Sequence, residues 1–238
     1  MGDCGNGWAV GIKIAVVAAL KCELRPLRRK IGNKAIYHAL GIGRENVMSE
    51  LPRFIAQHKP EILILTGFSG GLQPGLESGM PILATALSYE GSRGEISLED
   101  RFFGLAAEAL EAAQIPFLKG KILTVEGVVT SPEEKNRLWR DFSALAVEME
   151  GWWAAQAVGT RPLICLKAIV DPAEWELPWG LAAAAQTGWE WALLHPREWP
   201  GLLRLGRAAK CATEALTEAV ACTVAALAQA PLESEVAR

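Results

Sequence analysis

Leu163-Ile164-Cys165-Leu166-Lys167-Ala168-Ile169-Val170-Asp171 is an apolar, β-branched run closed by an acid. A run of this kind reads as a strand buried on both faces, the sort found in parallel sheets covered by helices. A carboxylate at its end costs several kcal/mol unless it is paired or used. In open α/β sheets, the ends of buried strands are where ligands bind. Just upstream, Ala146-Val147-Glu148-Met149-Glu150-Gly151 sets two more acids in apolar surroundings.

The rest of the chain agrees with that strand. Ile12 to Leu20 reads as a buried strand feeding a helix over Glu23 to Ile31, and Ala35 to Leu40 as a short strand before a helix over Glu45 to His58. The strand Ile62 to Thr66 runs into a glycine-rich turn, Gly67-Phe68-Ser69-Gly70-Gly71. Then follow a strand over Met80 to Ser88, a helix over Phe102 to Ala113, an extended strand over Phe117 to Thr130, and short helices over Pro132 to Trp139 and Glu150 to Ala157. Strands alternating with helices predict an α/β fold with a central mixed, mostly parallel sheet and no internal repeat. After Asp171 the segment 172–200 is a Trp-rich insertion holding Trp175, Trp179, Trp189, Trp191 and Trp199. A last helix over Leu202 to Leu227 completes a single domain over 1–230, and 231–238 is a polar tail expected to be disordered.

With 238 residues, half of them hydrophobic, the chain has material for one sizeable core. A net charge of −3, with the Lys and Arg residues dispersed, makes nucleic acid an unexpected partner. Five cysteines without CxxC spacing suit reduced thiols in a cytoplasmic protein rather than a zinc site or disulfide framework. No signal peptide or membrane span is expected, because the apolar stretch from Trp8 is interrupted by Lys13 and too short.

Three separated segments present carboxylates where a sheet edge is expected. Glu23 follows the first strand and reads either as a ligand-facing acid or as a first-turn helix acid favoured by the dipole. Glu148 and Glu150 share a face in extended chain and part if a helix starts at Glu150, and one of them can accept hydrogen bonds from a sugar diol. Asp171, before Pro172, either caps a turn or acts chemically. Acid, base and diol clamp are what three such carboxylates can supply. The glycine turn lets backbone amides approach a ligand, yet it matches neither GxGxxG nor a Walker pattern. His38, His58 and His195 lack partners at triad or ligand spacing and receive no role.

Taken together, these segments resemble the nucleoside phosphorylase superfamily, and within it the 5'-methylthioadenosine/S-adenosylhomocysteine nucleosidase-like branch. The resemblance spans roughly the first 175 residues. It lies in the strand and acidic loop from Ile14 to Glu23, the TG-x-x-GGL pattern from Thr66 to Leu72, Val147-Glu148-Met149-Glu150, which matches the VEME signature, and the strand ending in Asp171. It implies a phosphorylase-like α/β/α fold, a homodimer, a nucleoside substrate and no cofactor or metal. Asp171 is then the general acid protonating N7 of the purine, with a raised pKa, and Glu23 orients or deprotonates water. Met149 and Glu150 hold the ribose beside Glu148, Ser69 and Gly70 line the sugar and base site, and Val128 and Val129 contact the purine.

The first loop, Ala19-Leu20-Lys21-Cys22-Glu23, lacks arginine, and Leu65 stands where phosphorylases commonly place one, so water is the expected nucleophile. Arg44, after Gly41-Ile42-Gly43, keeps phosphorolysis as the alternative, with a non-catalytic nucleoside-binding protein as a third reading. Two departures from the pattern stand out. Val170 replaces the usual Ser or Thr before the aspartate, and the Trp-rich segment is similar to the hopanoid-associated phosphorylase-like subgroup, whose implied substrate is a lipid-linked adenosine. The tryptophans are read as core or dimer packing, as a pocket for a large 5'-group, or as a peripheral membrane contact.

Overall fold

The computed structural model describes residues 12–177 and 199–230. Trp179, Trp189, Trp191 and the tail 231–238 lie outside the described residues. In chain order the elements are β1 (Ile14–Ala18), α1 (Lys21–Ile31), β2 (Ile36–Ala39), α2 (Gly43–His58), β3 (Ile62–Gly71), β4 (Pro81–Tyr89), β5 (Glu95–Ser97), α3 (Arg101–Ala112), β6 (Leu118–Thr124), α4 (Pro132–Phe142), β7 (Ala146–Glu148), α5 (Gly151–Val158), β8 (Leu163–Asp171) and α6 (Trp199–Leu227).

The sheet is mixed and mostly parallel, as the alternation predicts. β1 pairs in parallel with β2 and β3, β3 with β8, β4 with β6, and β6 with β7. The antiparallel pairs are β3 with β7, β4 with β5, and β4 with β8. The sheet therefore curls, because β3, β7, β6, β4 and β8 pair in a closed circuit while β1 and β2 extend from β3.

Alternation along the buried strands feeds two apolar layers. Ile164 and Leu166 of β8 join Leu24, Leu27, Phe103, Leu110, Ala212 and Val220 under α1, α3 and α6. Leu163 and Cys165 join Val47, Leu51, Phe54, Trp152 and Trp153 under α2 and α5. Each such fully buried Leu, Ile or Phe is worth about 1.5–3 kcal/mol, so the helices are held chiefly by their apolar faces. Burial also pushes the Cys165 thiol up to about 12, so it stays protonated. No helix among the described residues is long and apolar enough to cross a membrane.

Two sequence expectations are corrected, and two short strands are added. The glycine stretch 67–71 is not a turn but the second half of β3, paired with β8 on one side and β7 on the other. The strand expected over Phe117 to Thr130 ends at Thr124, because the chain leaves the sheet at the exposed Glu126 and Gly127. The three-residue strands β5 and β7 are too short for any periodicity to announce.

Gly67 shows why glycine is needed in β3. Its φ is +128°, and a Cβ there would lie 2.7 Å from Glu23 Oε1. Gly67→Ala is expected to lower stability by about 2 kcal/mol through backbone strain and displacement of Glu23. Urea unfolding measures this, and an unchanged midpoint would contradict the close approach.

Candidate active site

The second half of β3 gathers the acids. Gly70 is in register with Val147 of β7 and with Asp171 of β8. A Cβ on Gly70 would sit 3.1 Å from Asp171 Oδ2 and 3.2 Å from Val147 Cγ1, so both neighbours close on bare backbone. Two residues earlier the Phe68 amide donates to Glu23 Oε1 at 2.9 Å. Residues 23, 147–150 and 171 thus hang on one five-residue stretch.

Glu23 is the first-turn helix acid of the sequence reading, and its second oxygen also bonds outside the helix. It lies in the first turn of α1, where its Oε2 accepts the Leu20 amide at 2.8 Å, while Oε1 reaches β3. It is buried, and its charge acts on both Glu150 and Lys167.

Glu148 and Glu150 divide their work. β7 ends at Glu148 and α5 begins at Gly151, which turns the two side chains apart. Glu148 caps the helix: its carboxylate accepts the amides of Glu150 at 3.0 Å and Gly151 at 2.8 and 2.9 Å, and the Thr124 hydroxyl at 2.6 Å. Thr124 Oγ1 in turn accepts the Trp152 amide at 2.9 Å. Glu150, the N-cap residue, makes no side-chain cap and instead accepts from Gly43 N at 3.1 Å through Oε1. Lys167, fully buried on β8, lies 3.1 Å from Glu148 and 3.4 Å from Glu150. Burial works against its ammonium, but Glu148 and Glu150 outweigh that and hold its pKa above the ordinary value. Burial raises the Glu150 pKa, Lys167 opposes the rise, and Glu148 adds to it.

Asp171 is buried at the end of β8. Burial pushes its carboxyl up to about 6, against the pull of Lys135, whose ammonium is 2.7 Å from Oδ2. Ser69 is buried with no hydrogen-bond partner for its hydroxyl. Met149 reaches the Gly43 loop, its Cε 3.9 Å from where a Gly43 Cβ would lie, and packs with Val129 against Leu72, Val125 and Val147. Val128 is exposed. Arg44 stacks over the Trp153 ring at 4.6 Å.

Lys135, Lys167 and Thr124 are partners of these acids that the sequence reading did not single out. Signals existed: Lys167 is the one charge inside an apolar strand, and Lys135 stands one turn before Leu138 on the inner side of α4.

A cavity of about 820 Å³ lies elsewhere, lined by Ser78, Pro172, Trp175, Leu203, Arg204 and Cys211 among others, and none of the three acidic segments lines it. Pro172, which directly follows Asp171, brings the cavity's lining next to the end of β8. Trp175 carries the Arg204 guanidinium 3.4 Å above its ring.

A family model described as Phosphorylase superfamily matches residues 21–178. The chain belongs to the phosphorylase superfamily, and it is an enzyme of that class. A 5'-methylthioadenosine/S-adenosylhomocysteine nucleosidase of Bacillus thuringiensis is 26% identical over 198 residues, covering 67% of this chain and 86% of the relative. Among solved structures, the 5'-methylthioadenosine/S-adenosylhomocysteine nucleosidase of Neisseria meningitidis with methylthio-immucillin-A is similar at a TM-score of 0.71 and 19% identity, over 89% of this chain and 98% of that one. Futalosine hydrolase of Helicobacter pylori is similar at 0.68 and 20% identity, over 88% and 97%. The phosphorylase-like α/β/α fold is thereby established.

The raised Asp171 pKa has a stability consequence. A carboxyl whose folded value, about 6, lies above the ordinary 3.8 contributes stability that is present below the lower value and lost as pH rises through the upper one. The stability of Asp171→Asn relative to the parent is therefore expected to rise by about 1–3 kcal/mol between pH 4 and pH 8, whatever constant cost the loss of the Lys135 partner adds. Denaturant unfolding at both pH values measures it, and a gap independent of pH would show that the carboxyl is not perturbed.

Proposed function

We propose that the protein hydrolyses the N-glycosidic bond of a 5'-substituted adenosine and releases adenine. The carrying observation is Asp171, a buried acid at a strand end whose pKa of about 6 leaves it able to hold and give a proton near neutrality. In this reading the Asp171 carboxyl protonates N7 while the C1'–N9 bonding pair moves into the base, which leaves neutral. The sugar passes through an oxocarbenium-like state, whose positive charge the cluster of Glu23, Glu148 and Glu150 offsets. Glu23 takes a proton from the water whose oxygen bonds to C1', and solvent returns a proton to Asp171.

Glu150 is the diol clamp. Gly43 N and Lys167 fix its two oxygens, and their remaining lone pairs accept from the 2'- and 3'-hydroxyls. Glu148 supports it by holding the turn rather than by touching substrate. Ser69 offers its free hydroxyl, Gly70 lets the sugar approach the strand, and Met149 with Val128 and Val129 forms the apolar wall for ribose and purine. Water is favoured over phosphate because the first loop has no arginine and Arg44 is stacked on Trp153.

Methylthioadenosine and adenosylhomocysteine lead as substrates, in keeping with the name of the relative above. The cavity beside Pro172 and Trp175 favours a larger, lipid-like 5'-group as the second reading, with peripheral membrane contact. A cytoplasmic homodimer completes the proposal.

Incubation with methylthioadenosine in phosphate-free buffer is expected to yield adenine and the free thio-sugar, and strict dependence on phosphate would replace hydrolysis with phosphorolysis. Asp171→Asn should lower kcat at least 10³-fold, of the order of losing a positioned general acid, with the fold intact by circular dichroism. Near-parental rates would remove Asp171 from the chemistry. Glu150→Gln should raise KM for ribosides by about tenfold or more and erase the preference over 2'-deoxyribosides, while retained discrimination would reassign the clamp.

A further inference from the structure

α4 turns two residues fully inward, Leu138 and Lys135. A buried ammonium needs every donor met, and this one has three acceptors for three N–H groups: Asp171 Oδ2 at 2.7 Å, Pro172 O at 2.9 Å and Trp175 O at 3.0 Å. It has no donor left for a substrate, so it acts through Asp171. The other charged groups nearby are engaged elsewhere. Lys167 is held by Glu148 and Glu150, Glu23 by the amides of Leu20 and Phe68, and Glu174 accepts the Gly75 amide at 2.8 Å. Among the described residues, Lys135 is the charged group that acts on the Asp171 carboxyl. The residue before the acid offers no help, because Val170 has no hydroxyl and packs among the apolar residues under α6.

We infer that Lys135 is the positioning residue of the acid: from α4 it fixes Asp171 through Oδ2, leaves Oδ1 to carry the delivered proton, and sets the pH range in which that proton is held. The inference rests on Asp171 being the general acid. Two effects oppose each other at this carboxyl, burial favouring the neutral form and the ammonium favouring the anion. Without the ammonium, Asp171 keeps its proton to higher pH. The same three bonds tie the 172–175 turn to α4, so the acid, the turn and the helix are held as one unit.

The test is the pH profile of kcat/KM on methylthioadenosine for the parent, Lys135→Met, Lys135→Arg and Asp171→Asn. The parent's activity is expected to fall with rising pH through an ionisation near 6, the basic limb in Lys135→Met to move up by one unit or more, and Lys135→Arg to restore it. A lysine that merely props the turn would lower rates or melting temperature without moving the limb. A folded Lys135→Met whose limb coincides with the parent's, beside an inactive Asp171→Asn, overturns the inference alone; an active Asp171→Asn overturns the acid reading instead. A second readout needs no change at 135. The Lys135 ammonium resonance in ¹⁵N NMR should follow the titration of Asp171 in the parent and stay flat in Asp171→Asn, and a flat response in the parent overturns the pairing.

Discussion

A charge buried at the end of a strand is tolerable only beside its complement, and this constraint organises the acid-bearing end of the molecule. Two lysines meet it from opposite sides. Lys167, inside β8, faces Glu148 and Glu150, and Lys135, from α4, faces Asp171. Taking one partner from a buried pair costs about 3–5 kcal/mol, chiefly because the other charge is left uncompensated. Each acid is therefore bound to a particular element of the fold, and the elements cannot shift independently of the site.

The backbone that makes this arrangement possible is the second half of β3. A side chain on a strand stands off one face of the sheet and fills the space over the backbone there. Here glycines at 67 and 70 let Glu23, Val147 and Asp171 close to near contact with the strand itself. The closed circuit of strands then points the ends of β3, β7 and β8 at one another. The close approach of Glu23 to Gly67, capping of α5 by Glu148 and anchoring of the 172–175 turn by Lys135 are local devices serving that convergence. They resemble the supports expected around a preorganised site, where first contacts are only as accurate as the residues that hold them.

The two capping acids show how one carboxylate can serve more than one element of the fold. Glu23 caps α1 with one oxygen and reaches β3 with the other. Glu148 spends its carboxylate on the start of α5, which frees Glu150 from that duty although Glu150 occupies the N-cap position. Sequence spacing could not apportion these roles. In extended chain the two acids look equivalent, and only the turn from β7 into α5 separates them.

Much of the fold was legible because burial leaves a periodic trace. The apolar runs of β1, β3 and β8 and the amphipathic faces of the helices between them called for a covered, mostly parallel sheet, and the acids closing those runs marked the functional end. What left no trace was anything depending on partners distant in sequence: the three-residue strand β7, the extension of β3 through its glycines, and the closing of the sheet by β4 against β8. Lys135 and Lys167 stand at inward positions of their patterns but were passed over, because their meaning lay in what they touch. The sequence by itself determined which residues are buried and where the acids stand along the chain, since hydrophobic patterning is local. Only the tertiary structure decided which cation faces which acid, because charge pairing depends on distances across strands and helices that no sequence interval encodes.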